Sequence, residues 1–542
     1  MKIAYLTFAA ALLFVSAQAA AATGSDQEKI DSQIEKDSQF VAIFVRAEDQ
    51  MFNGAGDYER FCDEQPPSAK RLKLRKRVIK ALQKKAKSSF AKMRRKLERL
   101  VADGQIRNLQ RYWIVNGFAC EATGEAAHAL AELESVGYVY QQHHAPQHRT
   151  PTNLSAKKQQ LNLDLQRQLL KSYVDDSKSP FDSSKYKIPW NIKRVNAHKV
   201  WKGLAEGDDA KKQGYTGRGV VVAVLDSGMM SIPALTSGLW RNSAESLNGN
   251  DDDGNGYVDD VFGYDFKRNV PYSVCASLPP HGTLCAGIIA GRPGGQADRP
   301  AVTGIAPRAK IMPLIGNGYF RAYEYALLNG ADVLSMSYTW DSRGLGHYRG
   351  LIRTAHEHLA AAGIVSVGGV GNYGRSHPEG SQIGTPKDIP CVIAAAGMTE
   401  DGEITTSSSR GPVSWENVLF FDNSSQTPPS KPDVTGCFGG YPMWTRVDVW
   451  EGVKRKRLKV VDEDDAGYVL ATGPRGNSFS GPHVAGVAAL MLEANPDLPV
   501  WHLKRLLEST CKDLESAGRD VITGAGLLQA DKAVEAVLSF EP

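Results

Sequence analysis

The chain has 542 residues, 42% hydrophobic and 23% charged. This is ordinary globular usage over more than one domain's length, and it excludes wholesale disorder. The net charge of +4 hides an imbalance: residues 70–99 carry fifteen Lys or Arg and one acid, Glu98, a local sum of +14, so the rest of the chain sums to 4 − 14 = −10.

Residues 1–22 read as a secretory signal peptide. Lys2 precedes an apolar run from Ile3 to about Val15, and small residues follow through Ala22. The run is too short for a retained anchor, which needs ~20 apolar residues. The expectation is a secreted protein, extracellular or periplasmic, with no membrane contact once the signal is removed. Seven cysteines allow disulfides there, but the number is odd, and no Cys/His spacing suggests zinc.

Residues 38–143 read as a small α+β domain. Strands are expected at Phe40–Val45, Tyr112–Val115 continuing through Phe118–Glu121, and Val136–Tyr140, with helices over 78–102 and 125–135. The long helix carries the basic run. Val78, Leu82, Ala86, Phe90, Met93, Leu97 and Leu100 form an apolar stripe, so the charges are read as its solvated face and not as a nucleic-acid site. Residues 144–190 have a linker composition with room for one helix. From 191 to 538, buried apolar strands such as Val220–Leu225 alternate with helices. This predicts an α/β, doubly wound, mostly parallel sheet with helices on both faces.

Three motifs fall where such a sheet places a site. Asp226-Ser227-Gly228 ends the first buried strand. His281-Gly282-Thr283 opens a helix, and Gly476-Asn477-Ser478 precedes another. Acyl transfer needs these residue types: a serine nucleophile, a histidine to take and return its proton, and a carboxylate to fix the imidazole. In these blocks, and in the order Asp, His, Ser, the chain resembles the subtilisin-like serine proteases (subtilases) over about residues 190–538.

The resemblance implies a subtilisin-like fold preceded by a ferredoxin-like inhibitory propeptide at 38–143, with the maturation cut in 144–190. It assigns Asp226, His281 and Ser478 as the catalytic triad and Asn372 as the oxyanion donor. It places the substrate-pocket walls at 333–337 and 368–372, with Ser335, Ser337, Tyr338, Gly369 and Gly371 as contacts. Partners would be protein or peptide substrates and the chain's own propeptide. Departures stand beside the nucleophile: Asn477 for the usual Thr, Phe479 for Met, Ser480 for Ala. Tyr338-Thr339-Trp340 replaces a Gly-rich stretch. The competing expectation is a catalytically inactive subtilase-fold binding protein. Cys285, one turn past His281, is either a thiol beside the histidine, an inert buried cysteine, or paired with Cys275.

Asp251-Asp252-Asp253-Gly254-Asn255-Gly256, with Asp259, resembles a calcium loop. No cofactor is expected for chemistry. A structural Ca2+ held by Asp251, Asp253, Asn255 and Asp259 is one expectation, and an acidic turn is the other.

Overall fold

The computed structural model describes residues 29–142, 156–175, 181–202, 214–272, 281–293, 301–316, 320–422, 430–446, 459–463, 468–515 and 517–541. The expected signal peptide, Cys275 and much of the expected processing region lie outside them.

The N-terminal unit runs β1 (Val41–Ala47), α1 (Asp57–Asp63), α2 (Arg71–Ala102), β2 (Ile106–Tyr112), β3 (Gly117–Ala122), α3 (Gly124–Ala131) and β4 (Val136–Gln141). Its antiparallel sheet has the order β2-β3-β1-β4. Alternation along β1 sorts its side chains to two faces. Ile43 and Val45 join Met93, Leu97 and Leu100 of α2 in a local core. Phe44 points the other way, into a core shared with the rest of the chain. There it stacks on Tyr112 at 5.8 Å and meets Phe320 edge-on at 5.5 Å.

Two expectations change here. Residues 113–116 are a turn, not strand: Asn116 adopts φ +38° and the chain reverses between β2 and β3. The long helix starts at Arg71, seven residues before the expected Val78, because Arg71 and Arg75 are themselves buried.

Within the linker lies α4 (Ala156–Ser172), followed by the short helices α5 (Trp190–Arg194) and α6 (Ala197–Val200). The large unit then runs β5 (Val221–Asp226), α7 (Pro233–Thr236), β6 (Tyr264–Asp265), β7 (Val270–Pro271), α8 (His281–Ala290), β8 (Lys310–Ile315), α9 (Phe320–Leu328), β9 (Val333–Met336), α10 (Tyr348–Ala361), β10 (Val365–Gly369), β11 (Ile393–Met398) and β12 (Val434–Cys437). It ends with β13 (Met443–Arg446), β14 (Lys459–Glu463), β15 (Tyr468–Thr472), α11 (Ser480–Ala494), α12 (Val500–Ser509) and α13 (Ala530–Leu538).

The main sheet has the order β12-β11-β10-β9-β5-β8-β6-β7 and is parallel except for the β6–β7 pair. β13–β15 form a separate antiparallel sheet that sequence periodicity did not reveal. α11 is buried from Ser480 to Leu492, so it is apolar on all sides. It can approach the sheet closely because Gly481 has no Cβ: one there would lie 2.6 Å from the Gly368 carbonyl carbon.

Candidate active site

The carboxyl edge of the parallel sheet gathers the site. β5 ends in Asp226, and α8 begins at His281. The two Asp226 carboxylate oxygens lie 2.9 and 3.0 Å from His281 Nδ1. Asp226 is buried and His281 is 36% exposed, so the pair has one dry and one open end. The Ser227 N–H donates to Asp226 at 2.6 Å, and the Ser227 hydroxyl accepts from the Gly282 N–H at 3.2 Å. Strand end and helix start are thereby tied together. Gly282 has to be small, because a Cβ there would sit 2.1 Å from the Gly228 oxygen.

The charges of the pair reinforce each other. Burial alone would raise Asp226, but the adjacent imidazole and the Ser227 donors hold it below the usual carboxylate range. Burial opposes charging of His281, and the neighbouring Asp226 carboxylate favours it, so the imidazole is raised above its ordinary value.

Ser478 sits in a 3-10 turn, Asn477–Phe479, that feeds directly into α11. The Phe479 ring lies 5.7 Å from the His281 ring, which brings the turn beside the imidazole. The Ser337 hydroxyl donates to the Ser478 carbonyl at 2.7 Å and the Cys285 sulfur lies 3.6 Å from that oxygen. Asn477 is fully buried and satisfied: it donates to the Gly371 oxygen at 2.6 Å and accepts from the Ser408 hydroxyl at 3.2 Å. The side chain that departs from the subtilase pattern thus fixes the nucleophile turn to the segment carrying Asn372.

The expected pocket residues divide. Ser337 and Gly371 adjoin the nucleophile turn, and Gly371 takes φ +106° to do so. Tyr338 is half-buried; its hydroxyl meets that of Tyr323 at 2.8 Å and its ring lies 5.1 Å from Trp340. Ser335 and Gly369 lie in strands β9 and β10 of the main sheet. The Ser335 side chain is buried within the sheet layer, with its hydroxyl unpartnered. Gly369 faces the nucleophile turn, where a Cβ would come within 1.8 Å of the Asn477 oxygen.

The model of the subtilase family matches residues 217–526. This chain belongs to the subtilase family. It is 28% identical over 336 residues to the "Probable subtilase-type serine protease" of Deinococcus radiodurans, covering 59% of this chain and 41% of that protein. It is 28% identical over 285 residues to fervidolysin of Fervidobacterium pennivorans, covering 48% and 35%. The crystal structure of fervidolysin aligns with a TM-score of 0.52 at 19% identity, over 92% of this chain and 61% of that one, and it shows the shared fold. A calcium-dependent protease of Trichormus variabilis is 26% identical over 314 residues, 51% of this chain and 43% of that protein. The chain therefore spans well under half the length of these curated relatives.

Of the alternatives the sequence left for Cys285, the structure shows a buried thiol beside the histidine, whereas Glu324 escaped sequence reasoning. Cys285 lies 4.0 Å from His281 Nδ1, is buried, and carries no disulfide; the six described cysteines are all free. Glu324 of α9 accepts from the Trp113 and Ile114 N–H groups of the N-terminal turn at 2.5 and 3.0 Å.

In the acidic loop, Glu245, Asp251 and Asp253 each bring an oxygen within 4.8 Å of the others. Glu245 is buried, and one of its carboxylate oxygens has no hydrogen-bond partner. Three hard carboxylates with one orphaned oxygen fit a calcium ion. One Asp259 carboxylate oxygen accepts from the Asn248 and Gly249 N–H groups and closes the loop. Asn255 also braces the loop, donating to Asp253 and Asp260 at 3.1 Å each. Glu245 precedes the loop, so no twelve-residue spacing could have pointed to it.

Proposed function

We propose that this chain is a secreted serine endopeptidase made as a self-processing zymogen. The Asp226–His281 contact at the sheet edge, beside the Ser478 turn, is the observation that carries it. Ser478 attacks the scissile carbonyl. His281 takes its proton through Nε2 and returns it to the leaving amine, while Asp226 holds Nδ1 and stabilises the imidazolium. The oxyanion is met by the Asn372 amide and by a backbone N–H where α11 begins. Water then hydrolyses the acyl-enzyme. Substrates are proteins or extended peptides.

The N-terminal unit acts as the chain's own inhibitor, and residues 1–22 direct export. Its broad contact through Phe44, Trp113 and Ile114 supports this role. Glu245, Asp251 and Asp253 hold a structural calcium ion that plays no part in the chemistry.

The test is N-terminal sequencing of purified protein beside Ser478→Ala, with fluorophosphonate labelling of both. A wild type beginning within 144–190 and labelled at Ser478, beside a variant that keeps its N-terminal unit and takes no label, supports the proposal. Identical maturation with no labelling of either sinks it and leaves the inactive binding protein.

A further inference from the structure

Lys387 is fully buried, and its ammonium nitrogen has no hydrogen-bond partner among the described residues. Other buried cations are matched: Arg349 meets Asp388 at 2.8 Å, Arg353 meets Glu357 at 2.7 Å, and Lys431 meets Asp433 at 2.6 Å. Asp388, next in the chain, is turned to Arg349, Ser342 and Thr385. The Lys387 nitrogen faces the Tyr338 ring instead, 4.8 Å from its centre. Such a contact offsets only part of the cost of taking an ammonium out of water. Burial accordingly pushes Lys387 down to about 7 from its ordinary 10.5, with Asp388 and Asp226 pulling the other way.

The lysine lies where two strand ends and a loop meet. β9 runs out through Ser337 and Tyr338, and β10 through Gly369 and Gly371. Ser337 donates to the Ser478 carbonyl and the Gly371 oxygen accepts from Asn477, so both ends adjoin the nucleophile turn. Residues 384–388 are pinned to both. The Trp340 N–H donates to the Thr385 oxygen at 2.9 Å, and a Cβ at Gly384 would lie 2.1 Å from the Trp340 oxygen. On the other side, a Cβ at Gly368 would lie 2.5 Å from Lys387 Cε, so glycine there leaves room for the lysine stem. Gly368 precedes Gly371 along the strand. The space between the strand ends thus opens beside the nucleophile and has an ammonium at its inner end.

We infer that Lys387 selects substrates with an acidic side chain, glutamate above all, on the residue that supplies the attacked carbonyl. The inference rests on the proposed endopeptidase and names its substrate class. The substrate carboxylate enters between Tyr338 and the glycines at the end of β10, and gives the ammonium the acceptor it lacks. Tyr338 is half-buried and touches the ammonium, so it is the side chain that turns aside to admit the carboxylate. A glutamine side chain has the same shape but offers a neutral acceptor, and hydrogen bonds between ionised partners are roughly twice as strong. A substrate lysine meets a like charge in a dry place, which is worse still.

The test uses purified protein first assayed for fluorophosphonate labelling at Ser478. Hydrolysis is then compared for peptides that differ only in the residue before the scissile bond: Glu, Gln or Lys. For the parent, kcat/KM on the Glu peptide is expected to exceed that on the Gln peptide by at least about tenfold, with Lys the poorest. In K387M the preference for Glu over Gln should vanish. A labelled parent that cleaves the Gln peptide as fast as the Glu peptide overturns the inference alone, and so does a labelled K387M that keeps the preference. Protein that takes no label overturns the proposed function, and the inference falls with it. If K387M does not fold, K387Q carries the same comparison, since it keeps a long polar side chain without the charge. Equal cleavage of the Glu and Gln peptides by the parent overturns the inference with no variant at all.

Discussion

The side-chain oxygen of Asn372 is shared by two donors of Asn477, the backbone N–H at 2.9 Å and the side-chain amide at 3.1 Å. A backbone N–H can only donate, so the atom facing it has to be the Asn372 oxygen, and the Asn372 amide nitrogen is turned to the exposed side. In the proposed mechanism that nitrogen donates to the oxyanion. Asn372→Ala is therefore expected to lower kcat by about 10²–10³ with little change in KM, as is typical for loss of one such donor. Asn477→Ala, which keeps the backbone donor but removes the amide bonds to Asn372 and the Gly371 oxygen, should lower kcat by at least about tenfold. Steady-state kinetics on a peptide substrate decides both.

The pH–rate profile tests the dyad. His281 must be neutral to act as base, so activity falls as pH drops through its pKa. The Asp226 carboxylate raises that pKa above the ordinary 6.5 against the effect of burial, which places the acid limb above that value. Asp226→Asn should move the limb downward and lower kcat by about 10⁴. An unmoved limb would remove Asp226 from its assigned role.

Contact between the two units should weaken with rising pH. Burial pushes Glu324 up to about 8 from its ordinary 4.5, so its contribution is complete below 4.5 and lost as pH rises through about 8. His358, whose Nδ1 faces the Ile114 oxygen, is pushed down by burial to about 4 from 6.5, so its contribution is complete above 6.5 and lost as pH falls through about 4. Arg321, the other charge near Glu324, stays ionised throughout this range. Between pH 6.5 and 8 the Glu324 contribution falls by at most about 2 kcal/mol, beside those of other buried groups such as Glu357, raised to about 7, and Lys387, lowered to about 7, so it is read as the difference between parent and Glu324→Gln. Denaturant titrations should show that slope in the parent and its loss in Glu324→Gln.

Calcium should raise thermal stability. Saturation at a hundredfold excess over Kd contributes about 2.7 kcal/mol, or a few degrees in Tm for a chain of this size. Glu245→Gln should remove most of the difference between calcium and chelator. Equal Tm values for the parent under both conditions would count against the site.

The free thiol offers a chemical probe. Because Cys285 lies 4.0 Å from His281 Nδ1, an organomercurial on its sulfur should block turnover. The reaction should be slow, since the sulfur is buried and burial raises the thiol pKa. Cys285→Ala should keep its activity under the same treatment.

Much of this was legible in the sequence, for physical reasons. Strands buried on both faces are continuous apolar runs, so Val220–Leu225 marked β5 (Val221–Asp226) to within a residue. The motif residues Asp226 and His281 come together because a strand end and a helix start face one sheet edge. What stayed hidden depends on distant partners. Nothing local distinguishes Arg71 and Arg75 from the solvated basic residues that follow them on α2; their burial is set by helix ends hundreds of residues later. Glu324 lies in a helix whose pattern does not show that two backbone N–H groups of another unit will meet it. Glu245 lay outside the loop motif.

Every residue of α10, Tyr348–Ala361, is buried, its charged side chains included. Arg349 pairs with Asp388 at 2.8 Å and Arg353 with Glu357 at 2.7 Å, so those charges are internal fittings and present no wet face. The N-terminal unit covers this helix, with Tyr348 edge-on to both Phe44 and Tyr140. Order of synthesis then matters. At ~5–20 residues per second the N-terminal unit is finished roughly 10–40 s before α10 exists. It holds a local core of its own, so the helix is born into a partner already shaped to receive it. A gene rearranged to put residues 29–142 last would make the same contacts in reverse, exposing a helix with no water-facing side while it waited.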